Sequence, residues 1–414
     1  MHLEKGRLLS LQTRPEGSIN TPCLSDIGVL GLVPDKWEEG WQVRHQVLSR
    51  LSQYFHVAWV TPAQEWRKAW HWREPRRSGS FGIRPVPENF IVYRPGRLLP
   101  KLYKPDFLAS FLARTRLAQA TQLLRDRGCR KIILYLWRPD FEAALDQVSH
   151  DLSCYHIDDE YTFSATEQPL SESEGRLIAR VGQVFIHSPA LLEKKGRVNP
   201  HTTFVPNGVD YVSFSSPHSE PADLKAVPHP RLGYVGNIKT QLDFQILYDL
   251  ATRHHEWSLV LIGPRGYLGA NAAVVEKIAA LPNVYFLGNK PVEMVCAYPQ
   301  HMDVCLLPYA MNDYTKYIYP LKLHEYLASG QPVVGTPIRS LEPFSHVVAL
   351  ARTVEQWEEA IRDALLPTAS QGHAVDRRRM VAREFDWNTL VTRIAQTICE
   401  RLGPATAARL AERL

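Results

Sequence analysis

Short apolar runs alternate with longer amphipathic stretches along this chain, and after a break rich in proline and serine the alternation starts again. Short apolar runs read as buried strands and the helical periodicity between them as crossovers, a pattern that implies parallel sheets covered on both faces. The first series predicts strands over 26–32, 56–60, 91–93, 131–136, 152–157, 183–186 and 201–205, with helices over 44–54 and 107–128. The second predicts strands over 231–235, 258–262, 284–287, 304–308 and from 332, with helices over 242–254, 272–280 and between Pro320 and Gly330. Between the two series, FSSPHSEPADLKAVPHPR reads as an exposed linker. The expected fold is α/β, with two Rossmann-like parallel-sheet domains over 1–212 and 230–385 facing across a cleft, a linker over 213–229, and a helical segment over 386–414.

In open parallel sheets ligands bind beyond the carboxyl ends of the strands, so function is sought in the loops that follow them. The most telling run is PLKLHEYLASGQPVV, residues 320–334. Pro320 suits the first position of a helix, where its missing N–H costs nothing, and Gly330 suits the residue past the end. Lys322 and Glu325 share one face, while Leu323, Tyr326 and Leu327 form a stripe that docks on a sheet. A helix N-terminus offers free N–H groups to a phosphate; Lys322 adds a full charge, and Glu325 an acceptor for a pair of sugar hydroxyls. The plain alternative is a surface Lys/Glu pair on a packed helix.

Other loops hold equivalent positions. Gly236-Asn237-Ile238-Lys239 follows the first strand of the second series, where a glycine lets the backbone approach a ligand and Lys239 can meet a phosphate. Gly263-Pro264 and Gly288-Asn289-Lys290 follow the next two strands, either opening room for a flat base or simply turning. In the first series PDKWEEGW precedes a helix bearing Arg44 and His45; Trp37, Gly40, Trp41, Arg44 and His45 offer indole faces and polar groups suited to a sugar acceptor, or form an ordinary helix start. Asp158-Asp159-Glu160 ends a strand and invites a divalent metal, but neighbouring strand residues point to opposite faces, so no metal site is expected. The chain has no GxGxxG, GxxxxGK[ST] or GxSxG, so hydride transfer, P-loop hydrolysis and esterase chemistry lack their usual supports.

No apolar run approaches the ~18–20 residues needed to span a bilayer, and MHLEKGRLLSLQTRPEG lacks the apolar core of a secretory signal, so a cytoplasmic location is expected. The six cysteines include no CxxC pair and read as buried free thiols. Net charge is +5, yet residues 61–130 hold fifteen Lys or Arg against five acids, a local +10 that leaves 5 − 10 = −5 elsewhere. At the start of that region and just before it, Trp59, Trp66, Trp70 and Trp72 interleave with Arg67, Lys68, Arg73, Arg76 and Arg77. Indoles at headgroup depth with cations beside them suit an anionic membrane surface, reached through residues 59–77 on the inner face of the plasma membrane. A solvated loop with core-facing tryptophans, or phosphate neutralisation on nucleic acid, uses the same composition; nucleic acid is not the expected partner.

The segments YVGNIKTQLDF, VLIGP, LPNVYFLGNK, DVCLLPY and PLKLHEYLASGQPVVGTP, with HIDDEYTF, VFIHSPAL and VPNGVD before them, resemble the GT-B nucleotide-sugar glycosyltransferases. Among these the bacterial teichuronic-acid and exopolysaccharide transferases are similar over most of the chain. The resemblance implies that the second domain binds the sugar nucleotide, the first binds the acceptor, and the terminal helix crosses back to brace the cleft. It puts a ribose-binding glutamate on Glu325, a phosphate loop on Gly236 to Lys239, and the helix entry on Pro320 and Lys322. Two departures stand out. Relatives often carry a second glutamate eight residues earlier, where this chain has Tyr317, and an arginine where it has Asn237. Asn312, Thr315 and Lys316, in the loop before Pro320, would then replace the lost contacts.

The reaction implied is transfer of a sugar from a nucleotide diphosphate sugar to a hydroxyl of a saccharide or lipid-linked acceptor, with no cofactor beyond the donor. Lys322, Lys239 and the helix N-terminus would stabilise the leaving diphosphate without a metal. With retention, the departing phosphate takes the acceptor proton; with inversion, His45, Asp158 or Asp159 must act as base. A GT-B sugar-nucleotide epimerase and a non-catalytic module binding sugar nucleotide or membrane are the alternatives.

Overall fold

The computed structural model describes residues 21–66, 85–162 and 166–414. Arg67, Lys68, Trp70, Trp72, Arg73, Arg76 and Arg77 lie outside the described residues. Seven strands build the first sheet: β1 (Ile27–Leu32), β2 (His56–Val60), β3 (Phe90–Tyr93), β4 (Lys131–Leu136), β5 (Leu152–Ile157), β6 (Gln183–Ile186) and β7 (Thr202–Phe204). Six build the second: β8 (Arg231–Val235), β9 (Ser258–Ile262), β10 (Val284–Gly288), β11 (Val304–Leu307), β12 (Val333–Gly335) and β13 (Ala349–Leu350). The orders are β3-β2-β1-β4-β5-β6-β7 and β10-β9-β8-β11-β12-β13. Every named pairing between these strands is parallel. The apolar runs are continuous because both faces are covered: β1, β4, β5 and β8 have no exposed residue.

The linker departs from expectation. Leu224 and Val227 are buried in the core of the second sheet. Arg231, itself 3% exposed, donates from Nε to the Val227 carbonyl at 2.9 Å and from Nη2 to the Leu224 carbonyl at 2.8 Å, while Nη1 pairs with Glu220 at 2.6 Å. A guanidinium with all three of its nitrogens engaged holds this segment on the domain, and two apolar side chains in a polar run suffice to bury it.

The chain returns to the first unit at its end. Val209 donates its N–H to the Phe385 carbonyl at 3.0 Å, and Trp387 donates back to Val209 at 2.9 Å. The crossing is so close that a Cβ on Gly208 would stand 2.6 Å from the Phe385 carbonyl oxygen. From there the helix Trp387–Arg401 lays Trp387, Leu390, Val391, Ile394 and Ile398 among Val29, Val47, Leu48, Val57 and Trp59. Trp59 is therefore core, not part of a membrane face, and Trp66 is 47% exposed. All six cysteines are free, and five are buried. Among the described residues no helix is long and apolar enough to cross a membrane.

Because the returning helix completes the core of the first sheet, Trp387→Ala should destabilise that unit by about 3–5 kcal/mol. Urea unfolding followed by a probe on the first unit checks this; an effect below 1 kcal/mol would show that the helix is only loosely laid on.

Candidate functional site

Strands running one way bring all strand-to-helix loops of a unit to one edge, and the strand order reverses between β8 and β11 as it does between β1 and β4. At the second of these edges the backbones crowd together. Gly236 (φ +151°) and Gly263 (φ +133°) end β8 and β9 in conformations that side chains disfavour. A Cβ on Gly236 would stand 1.9 Å from Cε of Lys322, and one on Gly263 would stand 2.2 Å from the Gly236 carbonyl oxygen. Lys322 belongs to the helix Leu321–Ser329, with Pro320 as its N-cap and Gly330 (φ +87°) past its end. The hydroxyl of Tyr326, one turn on, accepts the Val235 N–H at 2.7 Å. That bond clips the helix to the end of β8 and carries Lys322 across Gly236.

The charges here are left without close partners. Among the described residues no hydrogen bond or ion pair engages the Lys239 or Lys322 ammonium or the Glu325 carboxylate; Lys322 lies 5.4 Å from the Tyr234 ring centroid. Burial pushes the Glu325 carboxyl up from its ordinary value, against the pull of Lys322. Burial likewise pushes Lys239 down, with Asp159 opposing and Lys322 reinforcing. Unpaired, partly desolvated groups of both signs are poised for a ligand that brings an anion and hydroxyls together.

The first unit reaches this edge through Asp159, whose carboxylate accepts from the Tyr314 hydroxyl at 3.2 Å and from the Glu160 N–H at 2.8 Å. Asp158 is turned elsewhere: it accepts from Arg44 Nη1 at 2.6 Å and from the Tyr161 hydroxyl. Arg44 is also bonded to Asp35 and Gln42, so it ties loops of the first edge together and has no free donor set for an acceptor. His45 is buried among Trp37, Trp41 and Trp59, takes the Gln42 N–H on Nδ1 at 3.2 Å, and is pushed down to about 4 by burial. With Trp37 at 3% exposure, these two side chains are core rather than open surface; Gly40 and Trp41 remain partly exposed beside them. Glu160 faces Lys195 at 3.1 Å. Asp158, Asp159 and Glu160 thus have three different partners, and among the described residues no group of three or more metal-binding side chains forms.

The loop before Pro320 is shaped from within. Asn312 accepts the N–H groups of Tyr314 and Thr315 at 3.0 and 2.9 Å, and the buried Thr315 hydroxyl donates to the Ala310 carbonyl, so both residues build the turn. Tyr317 donates its hydroxyl to Glu167 of the first unit, which also pairs with Lys316. An acid is therefore present beside position 317, though it comes from 150 residues away. Asn237, Gly288 and Asn289 are exposed at the rim. Sequence reasoning missed Tyr314, Glu167 and His187; the last follows β6, with Nδ1 2.9 Å from the Ile157 carbonyl. No spacing signal announces the first two.

Residues 229–366 match the family model described as Glycosyl transferases group 1. That segment is thus similar to the group 1 glycosyltransferase domain, and the fold as a whole is of GT-B type. Among curated proteins it is similar to the putative teichuronic acid biosynthesis glycosyltransferase TuaH of Bacillus subtilis (strain 168), at 30% identity over 237 residues, 54% of this chain and 58% of that relative's length. Among solved structures it matches WaaG, a glycosyltransferase involved in lipopolysaccharide biosynthesis (TM-score 0.55, 14% identity, 89% of this chain and 99% of that one). It also matches Anabaena Alr3699/HepE in complex with UDP-glucose (TM-score 0.60, 14% identity, 90% and 99%). At such identities the structural likeness establishes the fold.

Four buried histidines, His45, His156, His187 and His324, are held below their ordinary range by burial and make the fold acid-sensitive; two of them carry the prediction here. His45, at about 4, and His324, pushed by burial to about 3 and stacked on Phe385, are neutral when folded and charge near 6.5 when unfolded. Their stabilisation is complete above about pH 6.5 and is lost on acidification, each by about 1.4 kcal/mol per pH unit. Urea titrations at pH 7 and pH 5 should show this slope, and His324→Gln should flatten it by one proton.

Proposed function

We propose that the protein transfers a sugar, of hexosyl type, from a nucleotide diphosphate sugar to a hydroxyl of a saccharide or lipid-linked acceptor, in bacterial cell-surface polysaccharide synthesis at the inner membrane face. The observation that carries this reading is the set of unpaired charges, Lys239, Lys322 and Glu325, at the carboxyl edge of the second sheet. The diphosphate lies against Lys322, Lys239 and the N–H groups opening the helix Leu321–Ser329, and the ribose hydroxyls donate to Glu325. Two lysines and a helix N-terminus carry the neutralising charge that other enzymes assign to a divalent ion, which supports a metal-independent reaction.

The bond between the anomeric carbon and the diphosphate oxygen breaks, its electron pair leaving with the nucleoside diphosphate, and the acceptor oxygen bonds to the same carbon. We place retention ahead of inversion. Asp158 is fully engaged by Arg44 and Tyr161, and His45 is enclosed by indoles, so the departing phosphate is the nearest recipient for the acceptor proton. Asp159, which faces Lys239, is the one first-unit acid of the three candidates that reaches the donor edge.

Mixing the protein with sugar nucleotides and saccharide acceptors, and following nucleoside diphosphate release and product, tests the proposal. Isomerised donor without acceptor would establish an epimerase instead, and binding without release under any acceptor a non-catalytic module. Lys322→Ala should lower kcat/KM by about 10²–10³-fold. Gly236→Ala, which forces Lys322 aside, should weaken donor binding by roughly tenfold or more while the fold persists.

Donor affinity should also be bell-shaped in pH. Glu325 must be ionised to accept hydroxyls, and its raised pKa puts the acid limb above the ordinary 4.5. Lys239 must be protonated, and its lowered pKa puts the alkaline limb below the ordinary 10.5. Calorimetric titration across pH checks both; Glu325→Gln should remove the acid limb and Lys239→Ala the alkaline one.

A further inference from the structure

One cation of the first unit is held in place and left without a counter-charge. Arg138 follows β4 at the point where the strand order of the first sheet reverses. Beside it the Trp137 N–H donates to the Leu32 carbonyl at 3.2 Å, which keeps this end of β4 against the end of β1. The guanidinium carbon of Arg138 lies 4.4 Å from the Tyr161 ring centroid. That ring is tethered in turn, since its hydroxyl is bonded to the Trp137 carbonyl at 3.0 Å and to Asp158. A planar cation stacked on a tethered ring presents its donors in a fixed plane.

Buried arginines elsewhere in the chain are well supplied with acceptors. Arg44, Arg231 and Arg378 each place two or three nitrogens on oxygen atoms. Arg138 does not: its Nε is sealed from water, yet among the described residues no hydrogen bond or ion pair reaches any of its nitrogens. The neighbouring acids are committed to other cations, Asp35 and Asp158 to Arg44, and Glu142 to Arg176 and Arg180 at 3.6 and 3.4 Å. A cation resting on an aromatic face needs no anion on that account alone. A buried donor with no acceptor is a different matter, because it costs free energy until something bonds to it. The two oxygens of a carboxylate or phosphate match a guanidinium fork.

We propose that the sugar acceptor carries a carboxylate or phosphate of its own, and that Arg138 binds it. The identity of this ligand as the acceptor rests on the proposed transferase reading; the anion site itself does not. The donor's diphosphate is met on the second unit by Lys239 and Lys322, which leaves Arg138 to the other substrate. Asp159, which faces Lys239, stands two positions before Tyr161, at most about 7 Å along the chain. The bound anion therefore sits about one sugar residue from the donor edge. An acidic sugar or a sugar phosphate is the acceptor class this selects, and a neutral glycan leaves the guanidinium unmet.

The test is titration of the full chain, without donor, by glucose and by its counterparts with a carboxylate or a phosphate at the same carbon, glucuronate and glucose 6-phosphate, followed by NMR. At least one of the two anionic sugars should bind about tenfold to a hundredfold more tightly than glucose. Arg138→Gln should erase that preference while glucose binding and the thermal melt stay as in the wild type. Arg138→Lys, which keeps the charge but not the fork, should retain only part of it and serves where the glutamine variant melts early. The preference should survive Lys322→Ala, which removes the donor's phosphate contact. Loss confined to glucuronate identifies a carboxylate, and loss confined to glucose 6-phosphate a phosphate. Equal binding of all three sugars by the wild-type chain overturns the proposal, as does a preference that both Arg138 variants keep in full. So does a preference lost in Lys322→Ala, which would assign the anion to the donor site. A chain that binds anionic sugar through Arg138 yet releases no nucleoside diphosphate with any acceptor would sink the proposed function and leave this site standing.

Discussion

Lys322 passes over the α-carbon of Gly236 with no room for a single further carbon, and the second unit's loops are arranged around that contact. Gly263 must lack a side chain because Gly236's carbonyl fills its place, and Tyr326 must reach the β8 end to hold the helix at that height. The crowding also has an electrostatic result. Strand ends and helix shield Lys239, Lys322 and Glu325 from water without supplying close partners, so the cost of their burial is recovered only when something else binds.

The two units are not independent around this edge. The loop that leads into Pro320 takes its shape partly from the first unit: Tyr314 is bonded to Asp159, Lys316 and Tyr317 to Glu167, and Asn207 donates to the Tyr319 carbonyl at 2.7 Å. Glu167 and Lys316 are each about a third exposed, so that pair contributes little stability on its own. The Asn207 bond is buried and counts for more, since breaking it would strand a carbonyl away from water. Position 317, where an acid is expected, shows the outcome: tyrosine fills the site and draws a carboxylate across from the other unit.

The strands were legible because continuous apolar runs have one good solution in a doubly covered sheet, and the Pro320 and Gly330 helix boundaries because their backbone chemistry is local. The linker was misread because composition alone does not show that Leu224 and Val227 meet a core or that Arg231 has carbonyls within reach. His45, Arg44 and Asp158 were plausible reagents on residue type. Burial among indoles makes His45 framework and hydrogen bonding does the same for Arg44 and Asp158, and those properties depend on neighbours as distant in the chain as Arg44 and Asp158, 114 positions apart.

By itself the sequence determined the two α/β units, the order of their strands along the chain, and the loops in which cations, glycines and acids fall at strand ends, since each follows from patterns a few residues long. The tertiary structure decided which of those charges are paired and which are left open. It turned Asp158 to Arg44 and Asp159 to Tyr314, and among the described residues it left Lys239, Lys322 and Glu325 without hydrogen-bond or ion-pair partners. The physical reason is that pairing and exposure depend on distances between residues far apart in the chain, which only the folded backbone sets.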